Sequence, residues 1–328
     1  MECYLLIKHL KLEKKITKMD FIFFGSGEFS WIILEELLKN NYHPILIITI
    51  PDKINQQGKT IPLFLKEKIK DLNLKTLTPQ SLKDEKVFEI IKENQTKFGI
   101  VAQYGKIIPK NIIDLFKFGI LNVHPSLLPK YRGANPIQNV LYNGEKLTGV
   151  SIILIDELID HGPILAQKEI TIDQNDDFES LYLKSAEISK NLLVETLNLY
   201  LANKIIPKPQ DDSEATFCRK FQKEDCWINL SDEALKIYNQ IRALSFEPGC
   251  FLEFFLKNNQ KLVVKIIKAK LIDQNTLNSN PGVKEIKKEL YLMPKKGLIL
   301  IEKIQPLGKR VMAGSEFLNG YRQKLIML

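Results

Sequence analysis

Cysteine is scarce in this chain and never closely spaced. Cys3, Cys218, Cys226 and Cys250 are the four among 328 residues; no two form a Cys-x-x-Cys spacing, and no secretory segment precedes them. A disulfide framework is therefore not expected, and reduced thiols in a cytoplasm are. Cys218 and Cys226, with seven residues between them, have no histidine nearby to complete a zinc site. No run of 18 or more apolar residues exists to span a membrane. A serine elbow, a Walker loop and a metal-ligand cluster are all missing, so the usual carriers of acyl-serine chemistry, nucleotide hydrolysis and metal catalysis are absent from the sequence. The turn Gly25-Ser26-Gly27-Glu28-Phe29-Ser30 has only the first two glycines of a G-x-G-x-x-G fingerprint, with Ser30 in the third place. A nicotinamide cofactor is not expected there, and a dehydrogenase is kept only as a distant alternative.

What is present is an ordinary globular composition, 45% hydrophobic and 26% charged, with enough chain for two domains. Residues 1–18 set Leu5, Leu6, Ile7, Leu10 and Leu12 among lysines. Glu2, Glu13 and the lack of arginine separate this extension from a transit peptide. An upstream start or an added extension is the expectation, with membrane association as the alternative. Phe21 to Phe24 then leads into the glycine turn, Trp31 to Leu38 repeats apolar residues at helical spacing, and Pro44 to Ile50 reads as a buried strand. Phe98 to Ala102 and Gly119 to Val123 are further buried strands, separated by Ile108 to Phe116. The order implies an α/β fold, a doubly wound, mainly parallel sheet.

Phe178 to Asn203 is a long helical pattern with Leu181, Ala186, Ile188, Leu192, Leu193 and Leu197 on one stripe, and it closes the first domain. Ile206 to Glu214 carries two prolines among polar residues and reads as a linker, with the boundary at Lys208. A short helix around Ser231 to Leu244, capped by Ser231, opens the second domain. Strand-like runs follow at Phe251 to Leu256, Leu262 to Ala269, Glu289 to Met293 and Gly297 to Ile301, the spacing of a small β-barrel. The expected organisation is an extension over 1–18, a catalytic domain over 19–207 and a C-terminal domain over 208–328.

Chemistry concentrates between Asn122 and Asp160. On a strand, residues i and i+2 share a face, so Asn122 and His124 project together at the carboxyl end of a strand that stops at Pro125. In doubly wound folds ligands bind there, where Tyr104-Gly105-Lys106 would also fall. An amide donor can stabilise an oxyanion on a carbonyl under attack while the imidazole handles a proton. A carboxylate such as Asp160 would hold that imidazole in one tautomer and favour its charged form. Taken singly, each residue has a structural reading: a core histidine, a turn asparagine, a loop aspartate. Their occurrence together with the turn Ser126-Leu127-Leu128-Pro129 favours an active site.

That combination, with Arg132-Gly133 and Asp156-Glu157-Leu158-Ile159-Asp160, resembles the folate-dependent formyltransferases, in which 10-formyltetrahydrofolate donates a formyl group to an amine. The likeness runs from about Met19 to the C-terminus. It takes in Pro51-Asp52-Lys53 with Gly58-Lys59, Gln103-Tyr104-Gly105-Lys106-Ile107-Ile108-Pro109, Ile241-Arg242-Ala243 with Pro248-Gly249, and Phe317-Leu318-Asn319-Gly320-Tyr321-Arg322. The resemblance implies Asn122, His124 and Asp160 as catalytic residues and a folate site of Ser126, Leu127, Leu128 and Pro129, flanked by Tyr104, Gly105, Lys106, Ile107 and Ile108. It implies a Rossmann-like catalytic domain and an OB-like second one, and methionyl-initiator-tRNA as formyl acceptor. Lys53, Lys59, Arg242, Lys295, Lys296 and Arg322 are then the candidate tRNA contacts. Neither a metal nor a covalent intermediate is implied, and a cytoplasmic monomer is expected. One departure matters: Gln57 occupies the place where relatives usually have arginine before a glycine; Gln103 and Asn135 stand where small residues are commoner and read as tolerated variation.

Charge is uneven along the chain. Residues 208–328 carry 21 Lys and Arg against 14 Asp and Glu, whereas the first 207 carry 26 against 25. A basic second domain fits a polyanionic partner such as nucleic acid; a lysine-rich solvated surface accounts for the same numbers. Three rivals share parts of the pattern: a nucleotide amino-sugar N-formyltransferase, a folate-binding or hydrolysing protein, and a non-enzymatic RNA-binding protein.

Overall fold

The computed structural model describes residues 20–55, 58–245 and 247–326. The extension over 1–18, Cys3 and the Gln57 departure lie outside the described residues. Two compact units divide between Leu121 and Asn122.

In the first unit, β1 (Phe21–Gly25) is buried at every position, as a strand covered on both faces must be. After it come α1 (Glu28–Lys39), β2 (Pro44–Ile48), the two-residue strands β3 (Lys53–Ile54) and β4 (Thr60–Ile61), and α2 (Phe64–Ile69). The unit continues with β5 (Thr76–Leu77), α3 (Glu85–Glu93), β6 (Phe98–Ala102) and α4 (Lys110–Ile113). β1 pairs in parallel with β2 and β6, and β2 with β5. Ser30 accounts for the incomplete glycine fingerprint. Its Oγ accepts from the amides of Ser26 (2.9 Å) and Gly27 (3.2 Å) and donates to the Ala102 carbonyl (2.6 Å). Those amides are the ones a dinucleotide pyrophosphate would need. The loop after β2 closes on itself: Asp52 accepts from Leu63 N (3.2 Å) and lies 2.9 Å from Lys66 Nζ, and the Lys66 contact holds its carboxyl below the usual range.

The strand in which the division falls is β7 (Ile120–His124), and the hydrogen-bonded order of the sheet is β5-β2-β1-β6-β7-β8-β9. The second unit continues with α5 (Pro136–Tyr142), β8 (Leu147–Leu154), β9 (Ile164–Thr171) and the 24-residue α6 (Phe178–Leu201). β8 and β9 are antiparallel, so the sheet is mixed. α6 starts on a reciprocal cap, Asp177 accepting from Ser180 N (3.0 Å) and Ser180 Oγ accepting from Asp177 N (3.1 Å). It buries Leu181, Ala186, Leu193 and Leu197.

α7 (Ala234–Leu244) follows, then β10 (Cys250–Phe255), β11 (Lys261–Leu277), β12 (Gly282–Ile286), β13 (Glu289–Met293), β14 (Lys296–Pro306), β15 (Met312–Ala313) and α8 (Gly314–Tyr321). The antiparallel order β10-β11-β14-β13-β12, with β15 on β14, makes a curled, OB-like half-barrel on which α7 and α8 pack. β11 extends beyond its apolar run to Leu277, its last part carrying the consecutive polar residues Asp273 to Thr276, which hid it from an apolar pattern. The helix boundary also differs from expectation. Glu233, not Ser231, is the N-cap of α7, and the Ser231 amide bonds to Asn229 Oδ1 (3.0 Å) in the preceding turn. No helix among the described residues is long and apolar enough to cross a membrane.

Candidate active site

β7 ends at His124, so Asn122 and His124 share one face of its last turn-free residues, as their spacing requires. Asp160 comes from the loop between β8 and β9 and meets both. Its Oδ1 accepts from Asn122 Nδ2 (3.1 Å); its Oδ2 accepts from Gly133 N (2.8 Å) and lies 3.5 Å from His124 Nδ1. The other ring nitrogen, Nε2, is 2.9 Å from the Tyr131 carbonyl oxygen, which can only accept. His124 is 5% exposed and Asn122 is half-buried. The Asn122 amide has two hydrogens and gives one of them to Asp160, which leaves the second available to a bound oxygen.

Backbone strain marks the same place. Tyr131 (φ 61°) and Asp160 (φ 49°) both adopt left-handed conformations that side-chain-bearing residues avoid, each at a cost on the order of 1–3 kcal/mol that the surroundings must offset. The surroundings do so with a dense polar frame. The Tyr131 carbonyl also takes Cys218 Sγ (3.3 Å) and Ser126 Oγ (3.5 Å), and its phenol donates to Glu145 (2.6 Å). Burial first, then Glu145, pushes that phenol up to about 12; burial first, then the Asp160 charge, pushes the Cys218 thiol up to about 12. Both therefore stay protonated donors at neutral pH.

The turn after β7 is equally constrained. Ser126 is fully buried and donates to Lys130 O (2.7 Å). Ser151 of β8 donates to Ser126 O (2.6 Å) and accepts from Leu128 N (3.1 Å), while Gln167 of β9 donates to Leu128 O (2.8 Å). Leu127 and Pro129 are half-buried, Leu127 lying against Gly149 of β8. In the first unit, Tyr104 follows β6 as a buried ring edge-on to Phe24, its hydroxyl without a partner among the described residues and pushed up to about 12 by burial. Gly105 has φ 78° and open space around its α-carbon, and Lys106 Nζ donates to Pro79 O (2.9 Å) and Gln80 O (2.7 Å). Ile107 is 77% exposed and Ile108 buried.

The segment expected to be a linker is instead laid along the site. Lys208 pairs with Ile164 (2.7 and 2.9 Å), Thr216 O accepts from Arg132 N (2.9 Å), and Cys218 N donates to Arg132 O (2.8 Å). Arg132, 4% exposed, donates through Nε and Nη2 to Gln210 Oε1 (3.0 and 2.8 Å) and through Nη2 to Asp212 (2.8 Å). Gln210 Nε2 in turn donates to Asp160 O (2.9 Å) and Gly162 O (2.8 Å). His161 bridges Asp156 (2.6 Å) and Asp212 (3.3 Å); Asp156 chiefly raises its pKa, and Arg132 chiefly lowers that of Asp212. The roles of Gln210 and Asp212 have no local signature, since their partners lie as far as 80 residues away.

The candidate tRNA residues divide. Lys53 and Lys59 are exposed in the β3–β4 hairpin, and Lys295 is exposed between β13 and β14. Lys296 stands 3.7 Å from Glu233, and Arg322 pairs with Glu285 while remaining about half exposed. Arg242 stands apart from these. It is 8% exposed in α7 and donates to Asn239 Oδ1 (2.9 Å) and Asp176 O (3.3 Å), so its guanidinium is used within the fold.

Comparison with known proteins adds relatives to this geometry. Residues 18–197 match the formyl transferase family and residues 220–322 the formyl transferase C-terminal domain. The methionyl-tRNA formyltransferase of Thermodesulfovibrio yellowstonii is 39% identical over 91% of this chain and 95% of its own. That of Dictyoglomus thermophilum is 40% identical over 93% and 97%. Among solved structures, an N-formyltransferase from Helicobacter canadensis in complex with folinic acid and dTDP-3-aminofucose covers 88% of this chain and 99% of its own, with a TM-score of 0.61 at 22% identity. At that identity the likeness is one of fold.

Proposed function

This chain belongs to the methionyl-tRNA formyltransferase family, and from that premise we propose how its residues carry out the reaction. It transfers the formyl group of 10-formyltetrahydrofolate to the α-amino group of methionyl-initiator-tRNA, the step that prepares the initiator for translation. The observation that carries the reading is the cluster at Asp160, where one carboxylate touches Asn122, His124 and the Gly133 amide.

The donor brings an electrophilic formyl carbon and the acceptor a nucleophilic amine; the protein's task is to place them and manage charge and protons. Asn122 donates its second amide hydrogen to the formyl oxygen as negative charge develops there. Asp160, fixed by Gly133 N, keeps the amide turned that way. His124 takes up or delivers the proton that passes from the incoming amine towards the leaving nitrogen. To do so it gives up its donor to the Tyr131 carbonyl, and Cys218 stays on that oxygen when it does, which lowers the cost of release. Ser126 to Pro129 and Tyr104 to Ile108 bind the folate. Lys53, Lys59, Lys295, Lys296 and Arg322 lie along the tRNA backbone, the last two by exchanging a carboxylate partner for phosphate. We place the catalytic part at 19–207 and the tRNA-binding part at 208–328, in a monomer of the cytoplasm.

Incubation of the full chain with 10-formyltetrahydrofolate and charged initiator tRNA should yield formylmethionyl-tRNA with no added metal or nucleotide. Release of formate without a formylated amine would point instead to a folate hydrolase.

A further inference from the structure

Gln210 lies 50 residues from Asp160, in the stretch that reads as a linker, yet its side chain is fully engaged. Its oxygen accepts both guanidinium hydrogens and its nitrogen gives both hydrogens to carbonyls. An amide has two such acceptor and two such donor positions, so its orientation is determined: reversed, it would set donors against donors. We propose that Gln210 is a positioning residue for formyl transfer, holding the turn that presents the Asp160 carboxylate to Asn122 and His124. The inference rests on the reading of Asp160 as catalytic.

Two grips converge on Asp160, and Gln210 belongs to both. On the backbone side, its Nε2 pins the carbonyls of Asp160 and Gly162 across a residue whose φ of 49° has little tendency to persist unaided. The turn has no slack elsewhere, since a Cβ at Gly162 would collide with the Leu154 carbonyl. On the carboxylate side, its Oε1 anchors Arg132, whose backbone is bracketed by Thr216 and Cys218. The next residue, Gly133, donates the hydrogen bond that fixes Asp160 Oδ2. Displacement of the turn by a few tenths of an ångström would be felt at the Asn122 amide, while none of the partners of Gln210 is a residue assigned to folate or tRNA.

Gln210→Glu separates the two functions of the side chain. The carboxylate still accepts from Arg132, but it offers nothing to the carbonyls of Asp160 and Gly162. The full-length variant should melt close to wild type, keep KM for both substrates within about twofold, and lose about 10- to 100-fold in kcat, the scale set by small misplacements of catalytic groups. Should Gln210→Glu not fold, Gln210→Met assayed below its melting temperature reads the same split. Wild-type kcat in whichever variant folds, or a loss confined to KM, overturns the proposal. Asp160→Asn, assayed alongside, tells the two failures apart. If Asp160→Asn is inactive while Gln210→Glu is fully active, only the positioning role falls; if Asp160→Asn turns over normally, the catalytic reading itself falls.

Discussion

At the scale of single residues, the site is organised by what each polar atom is already bonded to. His124 meets an acceptor at each ring nitrogen, and Asn122 keeps one hydrogen in reserve. His124→Ala should lower turnover by about two to four orders of magnitude, and Asn122→Ala by about a hundred- to a thousandfold, with folate binding measured by fluorescence retained in both. Undiminished turnover in His124→Ala would leave the histidine a structural residue. His161 offers a test by pH. Asp156 chiefly, then Asp212, raises its pKa above 6.5, so its stabilising contribution is fully present below about pH 6.5 and disappears as pH rises through the folded value. Asp212, lowered chiefly by Arg132, contributes above its unfolded value of 3.8 and loses that contribution as pH falls through its folded one. The melting temperature of His161→Asn should thus trail wild type most between these limits and less as pH rises through the folded value of His161; an offset independent of pH would contradict this. That Asn122 and His124 share a face was legible in the sequence from strand spacing, and the family resemblance pointed to Asp160, which the structure brings against both. Gln210 and Asp212 were not, since nothing local distinguishes a polar residue under a catalytic loop from one in a solvated linker.

Elements tell the same story through their periodicity. β1, β2, β6 and β7 are buried on both faces and read as plain apolar runs, and α6 reads as a stripe, so the parallel half of the sheet could be inferred from pattern. β9 could not: Gln167, Lys168 and Glu169 fall consecutively on an exposed edge strand and mask its alternation. The Asp177–Ser180 cap begins the longest helix and marks its start sharply. Asp177→Ala should cost about 0.5–2 kcal/mol of stability, read by urea denaturation at neutral pH, as the loss of one N-cap does; no change would mean the first turn is held by packing alone. The segment over 208–218 shows how an element without regular structure can be a structural one. Cutting the chain after Pro207 removes Gln210, Thr216 and Cys218 from the catalytic loop along with the half-barrel, so that truncation cannot be a clean separation of tRNA binding from catalysis.

Over the whole molecule, the formal charge is +8, and the surplus is concentrated late. Lys257 to Lys324 hold 15 basic residues against 5 acidic, much of it on strands whose alternate side chains face outward. If that surface follows the tRNA backbone, affinity should fall steeply with salt through counterion release. Lys295→Glu with Lys296→Glu should weaken initiator and elongator tRNAs alike, because phosphate contacts position without reading sequence. The second change also sets a carboxylate beside Glu233. Equal affinity of wild type and double variant in filter binding at two salt concentrations would leave the lysines as solvated surface. The fold alone does not choose the acceptor, since a protein bound to a nucleotide sugar shares it at 22% identity. The central claim is therefore tested most directly by measuring kcat/KM side by side for methionyl-initiator-tRNA and a dTDP-linked amino sugar, with 10-formyltetrahydrofolate saturating. The account predicts efficient formylation of the tRNA and none detectable of the sugar; preference for the sugar nucleotide would contradict it.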